Sequence, residues 1–397
     1  MKCFKVTLMM LALAWPATAR AELAGTPFVE GLKTPIKIVL TRGGNLLVSE
    51  GGNPPPTFVA HHGRISLVDR GGARRTLIDR LPAGLDLDDG GSSGPSGLWV
   101  ADRFTLYVAI GIGDVTKRNA ARGEVPNPAG LSSALFSSLW RIRFSQEIDD
   151  VTDGFTLDPA THYGELADGG EVRLENASGE RARIRVLADF RDIYPGTPPN
   201  PVSASNPFGL LLLGDRLYLP DAGQNSLVRI DRETGRIRTI VHFPPVPNTL
   251  FTIGPRFSQP VPNSIRKLSD GSALVTLLSG FPFGPGAASV QRVDVSHRTT
   301  APFISGLTMA IDVLPLGHAW GPFLVLEYAS RFDLPGPGGP GGFMPPGRLL
   351  RFKSRTSAPE VLSSALVGPT SMAFDDCTGE LFVTEHQTGK IIRFELW

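Results

Sequence analysis

Short apolar runs alternate with turn residues along most of the chain. The stretch from Ser205 to Pro244, SNPFGLLLLGDRLYLPDAGQNSLVRIDRETGRIRTIVHFP, shows the pattern most plainly. Apolar runs at Phe208–Leu213, Arg216–Leu219, Leu227–Ile230 and Ile237–Phe243 are broken by Gly214-Asp215, by Asp221-Ala222-Gly223-Gln224-Asn225 and by Arg232–Gly235. Such β-rich runs bounded by Gly, Asp and Asn read as strands joined by hairpin turns. Leu217, Leu219, Val228, Ile230, Ile237 and Val241 mostly alternate with polar partners, as half-buried strands require. Four consecutive antiparallel strands of this size make one propeller blade. A blade cannot bury both faces alone, so the pattern predicts neighbours.

The same order recurs. A first strand follows Pro, Asn or Ser, a second ends near an acid or Gly, a third has the form I-x-R, and a fourth leaves through Leu-Pro or Gly-Leu. Blade 1 reads Ile36–Leu40, Leu46–Glu50, Arg64–Val68 and Arg75–Leu81. Blade 2 reads Gly97–Val100, Thr105–Ile110 and Ser138–Phe144, with a fourth strand near Arg183–Phe190. The opening stretch is blade 3. Blade 4 reads Ser264–Leu268, Ala273–Leu277, Ser289–Val293 and Thr300–Leu307, and blade 5 Ala310–Leu314, Phe323–Glu327, Arg348–Phe352 and Glu360–Leu366. Blade 6 has Ser371–Phe374, Leu381–Glu385 and Lys390–Leu396, one strand short. Thr26–Leu32 has no partner of its own and is predicted to pair into blade 6, removing two free sheet edges. The expected fold is therefore all-β: a six-bladed propeller closed by an N-terminal strand. Gly51–Gly63, Asp114–Ser133, Ser145–Arg181 and Arg331–Pro346 fall outside this grammar. The third is expected to be a flap or an extra hairpin. The fourth is too rich in Pro and Gly for regular structure. No convincing amphipathic helix is predicted after the leader.

The first residues read as a leader. Lys2 and Lys5 precede an apolar run, Val6–Trp15, too short to span a bilayer, and Ala19-Arg20-Ala21 is an A-x-A cleavage site. Residues 1–21 are thus expected to be a signal peptide, and 22–397 one exported domain, periplasmic or secreted. Cys3 leaves with the leader, so Cys377 is the one remaining cysteine and stability must come from a large core. The formal net charge of +1, with Lys and Arg scattered along the chain, supplies no field for nucleic acid or an anionic membrane. A small-molecule ligand or a protein is the expected partner.

SNPFGLL, LPDAGQNSLVRID, VHFPPVP and SGFPFGPGAASVQRVD (Ser279–Asp294) resemble the ScyD/ScyE family, and ISGLTMAIDVLPL and FLVLEY continue the likeness. It covers roughly Val186–Tyr328 well and the rest by repeat shape; more distantly the blades resemble NHL-repeat and gluconolactonase-type propellers. The resemblance implies a secreted bacterial propeller named after scytonemin pigment biosynthesis, but no defined activity. In one place the chain departs: Leu277 and Leu278 stand where the family places an acid after the second strand of blade 4.

In a propeller the lead-in to strand one and the loop after strand two share one end of the ring. Glu50, Asp221, Glu327 and Glu385 from second-strand ends are predicted there, with Asn206, Asn263 and Asp312 from lead-ins or early first-strand positions and Gln224, Asn225 and His386 nearby. Two roles are open. Asp221, Asn263, Glu327 and Glu385 offer hard oxygen ligands suited to Ca²⁺ or another divalent cation, and a His beside a Glu could serve as acid or base. Alternatively each acid accepts backbone N–H groups from a neighbouring turn. Asp86, Asp88 and Asp89 lack the distal Glu of a calcium loop and read as solvated; His61-His62 and Cys377 read as surface turns. Phe251, Phe281 and Phe283 are candidates for core packing or for an apolar channel mouth. No nucleophile-elbow, zincin, P-loop or dinucleotide motif stands in a credible context. An exported binding or scaffold protein, for a pigment or other aromatic metabolite, is the leading expectation. A metal-dependent lactonase of gluconolactonase type is the alternative, and a quinoprotein sugar dehydrogenase a second, since PIKIVLTRGGNLLVSE resembles that family's opening.

Overall fold

Six largely antiparallel sheets follow one another along the chain, each built on consecutive inner strands, and the first strands of successive sheets pack around a common axis. This is a six-bladed β-propeller. The computed structural model describes residues 21–396 except 55, 86–90, 120–122, 129–134, 197–199, 251, 253, 320 and 334–341. Residues 1–20 of the expected leader, the Asp86–Asp89 acids and Phe251 therefore lie outside the described residues.

Blade 1 is Pro35–Leu40, Leu46–Glu50, Gly63–Val68 and Arg74–Leu81. Blade 2 is Pro95–Val100, Thr105–Ile110, Ser138–Phe144 and Arg181–Asp189. Blade 3 is Leu211–Leu213, Arg216–Asp221, Ser226–Asp231 and Ile237–His242; its first strand starts later than Phe208. Blade 4 is Pro262–Lys267, Ala273–Leu277, Ala288–Asp294 and Thr299–Leu307. Blade 5 is Ala310–His318, Gly321–Glu327, Gly347–Phe352 and Glu360–Leu366. Blade 6 is Pro369–Asp375, Glu380–Glu385 and Lys390–Glu395. Its outer strand is Thr26–Val29, with Thr26 opposite Arg393 and Pro27 opposite Ile392, so the N-terminal strand closes the ring as the unpaired edge required.

A repeated start explains the regularity. Pro35, Pro95, Pro207, Pro262 and Pro369 open five blades, with Ala310 in the sixth. Proline suits a strand's first position because no ladder N–H is needed there. The carbonyl just before each start accepts the N–H of the residue just after the second strand. Gly51 donates to Thr34, Gly111 to Gly94, Ala222 to Asn206, Leu278 to Val261, Tyr328 to Met309 and His386 to Gly368, all at 2.8–3.0 Å. Thr34, Val261 and Met309 take φ of 49°, 53° and 49°, a conformation unfavourable for residues with a Cβ, which this bond holds in place. Apolar faces of adjacent blades fill the space between them; Leu324, Leu326 and Leu349 of blade 5, for example, pack with Leu381, Val383 and Phe394 of blade 6.

Residues 145–181 supply the expected extra hairpin, in which Val172–Glu175 turns back onto Arg181–Asp189, while the rest of this insertion and two other segments depart from expectation. Phe155–Thr156 pairs parallel to the outer strand of blade 1, and Val172–Glu175 adds a fifth strand to blade 2, so the insertion straps two blades together. Between them lies a helix, His162–Ala167, that sequence patterning did not reveal; it buries Tyr163 and Leu166. The Pro/Gly-rich segment does carry regular structure at its ends, where Arg331–Asp333 pairs with Gly342–Met344. Asp114–Ser133 likewise contains a hairpin, Thr116–Asn119 with Gly123–Pro126.

Candidate functional site

The second-strand acids act as clamps within the ring. Glu50, Asp221, Glu327 and Glu385 are buried, and each accepts a backbone N–H from the segment leading into its own blade: Lys33 at 2.6 Å, Asn206 at 2.9 Å, Thr308 at 2.7 Å and Val367 at 2.8 Å. Each has a further partner: the Ser66 hydroxyl for Glu50, the Ser205 hydroxyl at 2.7 Å for Asp221, Arg348 at 2.5 Å for Glu327 and the Thr388 hydroxyl at 2.6 Å for Glu385. Burial raises the Asp221 and Glu327 carboxyls above the usual range despite these donors.

The amides are engaged in the same way. Asn206 Oδ1 accepts from the Ile112 N–H at 3.2 Å, and Asn225, at φ 50°, from the Val261 N–H at 3.0 Å. Asn263 Nδ2 donates to the Ala310 carbonyl at 3.4 Å, and Gln224 Nε2 to that of Ala204 at 3.0 Å. His386 has a buried Nδ1 with no partner among the described residues, and burial pushes its ring down to about 4, so it is neutral at neutral pH. Asp221, Glu327 and Glu385 thus share one end of the ring without converging. Among the described residues, the group of three acidic, His or Cys ligand atoms within 4.8 Å of one another is Asp375, Asp376 and Cys377, at an exposed turn elsewhere. There Asp376 and Asp375 hold the Cys377 thiol above its ordinary range, which disfavours the thiolate. Among the described residues, Asp221, Glu327 and Glu385 do not form such a group, and each is already engaged by donors of its own blade.

Asp312 lies deeper than the mouth, in a polar plug on the axis. Arg266 Nη2 approaches its carboxylate at 2.6 Å and Lys37 Nζ at 3.6 Å; Ser264 and Ser371 donate hydroxyls, and Met372 its N–H at 2.9 Å. Burial would raise this carboxyl, but Arg266 and Lys37 outweigh it and hold it below the usual range. Burial lowers Lys37 to about 8, with Asp312 offsetting only part of that. Lys37 also reaches Ser264 at 3.5 Å; these belong to blades 1 and 4, which face each other across the ring, so side chains fill the axis at this level.

Above the plug, polar and apolar residues alternate around the neck. Ser96, Asn263 and Thr370 of blades 2, 4 and 6 donate to the carbonyls of Pro207, Ala310 and Pro35 at 2.7, 3.4 and 3.1 Å. The matching positions of blades 1, 3 and 5 hold Ile36, Phe208 and Ile311. Phe208, Leu278 and Tyr328 pack against the apolar cluster that contains Ile311. Over this floor stands an aromatic crown built from the second-to-third strand loops of blades 4 and 5. Phe283 lies 5.0 Å from Phe332 and 4.9 Å from Phe343; Phe343 lies 5.1 Å from Tyr328. Phe281 meets Phe332 at 6.1 Å and is 43% exposed, while the other four rings are half-buried. The contacts are tilted or edge-on, the favoured aromatic geometry. Phe281 and Phe283 were singled out in the sequence, for core packing or for an apolar channel mouth. Tyr328, Phe332 and Phe343 were not, because nothing in the spacing shows that blade 5's loop leans on blade 4's.

The architecture and crown define a class: a six-bladed propeller with a plugged axis and an aromatic surface at the long-loop end. No protein family and no curated protein matches the chain. Among solved structures, a catalytically inactive virginiamycin B lyase from Staphylococcus aureus with quinupristin aligns at TM-score 0.48 and 14% identity, over 95% of this chain and 99% of that one. A putative oxidoreductase (glucose dehydrogenase) from Thermus thermophilus aligns at 0.47 and 15%, over 94% and 99%. A nidogen/laminin complex aligns at 0.46 and 11%, over 85% and 88%. At these scores the fold assignment rests on the chain's own strand pairing.

Proposed function

We propose that this is an exported binding protein that holds a planar aromatic ligand on the crown formed by Phe281, Phe283, Tyr328, Phe332 and Phe343. The observation that carries the reading is the pairing of five aromatic rings from two blades at the end where the long loops cluster, one of them 43% exposed. Rigid scaffolds place function on such loops, and an exposed apolar patch of this kind marks a binding surface. The SNPFG, DAGQN and GFPFGPGAA phrases point the same way, towards the secreted ScyD/ScyE propellers and pigment-type chemistry. The leader supports export. A lactonase would need a carboxylate free to bind metal or move a proton, whereas Glu50, Asp221, Glu327 and Glu385 each already accept at least two donors. The test is titration of the purified protein with a planar polycyclic dye, read by the dye's fluorescence. Saturable binding that weakens about tenfold or more in Phe283→Ala and Phe343→Ala is expected, the scale of a lost aromatic contact. Unsaturable binding, or equal affinity in both variants, would overturn the reading.

A further inference from the structure

Along the chain the arginines look scattered, but strand pairing stacks them. On blade 3, Arg229 stands directly opposite Arg238, and Arg216 opposite Asp231. Together with Thr234 and Arg236 these residues line a groove of about 440 Å³. Arg216 finds carboxylates in Asp231 and in Asp215 at 3.5 Å, whereas the guanidinium groups of Arg229, Arg236 and Arg238 have no hydrogen bond or ion pair among the described residues. On the neighbouring blade, Arg141 faces Arg185 and Arg143 faces Arg183 on one side of the sheet. Burial and then Arg185 and Arg143 lower the Arg141 pKa, with Tyr107 and Glu233 offsetting only part of that. Arg185 Nη2 donates to the Glu233 carbonyl at 3.3 Å, inside the turn that carries Asp231, Thr234 and Arg236, and its Nε is buried without a partner. The two clusters thus meet at one turn from opposite sides of the blade 3 sheet, at the end of the ring opposite the aromatic crown.

We infer that this arginine face, running from the outer strands of blade 2 across the 231–236 turn into the blade 3 groove, binds an acidic polysaccharide. Directly opposed like charges destabilise a sheet, so a ligand that neutralises them returns what the free protein loses. Neighbouring strands lie about 4.8 Å apart and alternate residues about 6.7 Å apart along a strand, so the guanidinium groups form an array rather than a single cup. Such an array suits negative groups repeated along a polymer better than one ion. Guanidinium forks match carboxylate and sulfate oxygens in pairs. Among the described residues, no aromatic side chain lines the groove, as base stacking on single-stranded nucleic acid would require, and no apolar side chain lines it for insertion into a bilayer.

The experiment titrates the mature chain with dextran sulfate by calorimetry at two salt concentrations, with uncharged dextran as control, and repeats it with the double variant Arg229→Gln/Arg238→Gln. Expected are salt-sensitive binding to dextran sulfate alone, and an affinity at least about tenfold weaker with a shallower salt dependence in the variant. The variant should melt no lower than wild type, because an opposed cation pair is gone, and should keep its affinity for the aromatic dye. Equal affinity of wild type and variant would overturn the inference, as would equal binding of uncharged dextran. So would tighter binding to anionic lipid vesicles or to a single-stranded oligonucleotide than to dextran sulfate.

Discussion

At the scale of single residues, the axis carries the sharpest energetic claims. Asp312 is fully buried and faces two cations, Arg266 and Lys37, from two other blades. Removing one partner from a buried ionic network leaves uncompensated charge, which costs about 3–5 kcal/mol. Asp312→Asn keeps the shape and removes the charge, so urea unfolding should show a loss of that order; a loss below about 1 kcal/mol would mean that the plug is solvated. Lys37 makes a separate pH prediction. Its folded pKa is about 8 against 10.5 for the free side chain. Between those values the unfolded chain binds more protons than the folded one, so this group makes stability rise with pH across that window. Below about pH 8 both states are protonated and the slope vanishes. The stability of wild type relative to Lys37→Met should therefore climb from pH 8 towards 10.5, and a flat difference would refute the assignment.

At the scale of elements, the acid clamps decide how blades are held at the long-loop end. Each ties the end of a second strand to the segment that enters the same blade, so each stabilises a crossing rather than a ligand. Glu50→Gln and Glu385→Gln leave buried N–H and hydroxyl donors facing a neutral amide, and each should lower stability by about 1–3 kcal/mol. Dye affinity should not change in either variant. If Glu385→Gln instead abolished binding and left the melting temperature alone, the acid would belong to a site. The strands themselves were largely legible in the sequence, because apolar alternation and turn residues such as Gly214-Asp215 and Arg232–Gly235 set their limits. The helix His162–Ala167 was not, since six residues with two buried side chains, Tyr163 and Leu166, give too little periodicity. The crown was hidden for another reason: Phe283 meets Phe343 only after the loops of two blades are brought together. Arg229 and Arg238 lie on one predicted hairpin, but the register that sets them directly opposite each other is not fixed by spacing alone. The acids at Glu50, Asp221, Glu327 and Glu385 could be placed at one end of the ring from the repeat alone. Whether they face a ligand or a backbone N–H depends on side-chain direction, which spacing does not encode.

At the scale of the whole molecule, stability depends on closing a ring whose two ends are far apart in sequence. The N-terminal segment does more than add one strand. Leu23 N–H donates to the Leu362 carbonyl of blade 5 at 2.7 Å, and Glu22 receives the Ser364 N–H at 2.7 Å. Thr26–Val29 pairs with blade 6, where Glu30 also meets Lys390 at 2.8 Å. Val29 and Leu32 are buried in the cluster that joins blade 6 to blade 1, and Lys33 N–H ends on Glu50. One segment of twelve residues, 22–33, therefore stitches three blades. Without it the Lys390–Glu395 strand presents an open edge of unpaired N–H and C=O groups, and the blade 6–blade 1 interface loses its apolar fill. Closure also pairs residues more than 300 positions apart, so the contact is made late and cannot be replaced by local structure. A chain beginning at Thr34 should consequently fail to give a cooperative thermal transition and should aggregate. Addition of a synthetic peptide spanning Glu22–Lys33 should restore the transition in a concentration-dependent way, because binding the folded ring stabilises it by mass action. A truncated chain that melts cooperatively at the wild-type temperature without the peptide would show that the ring holds itself together through its inner strands alone.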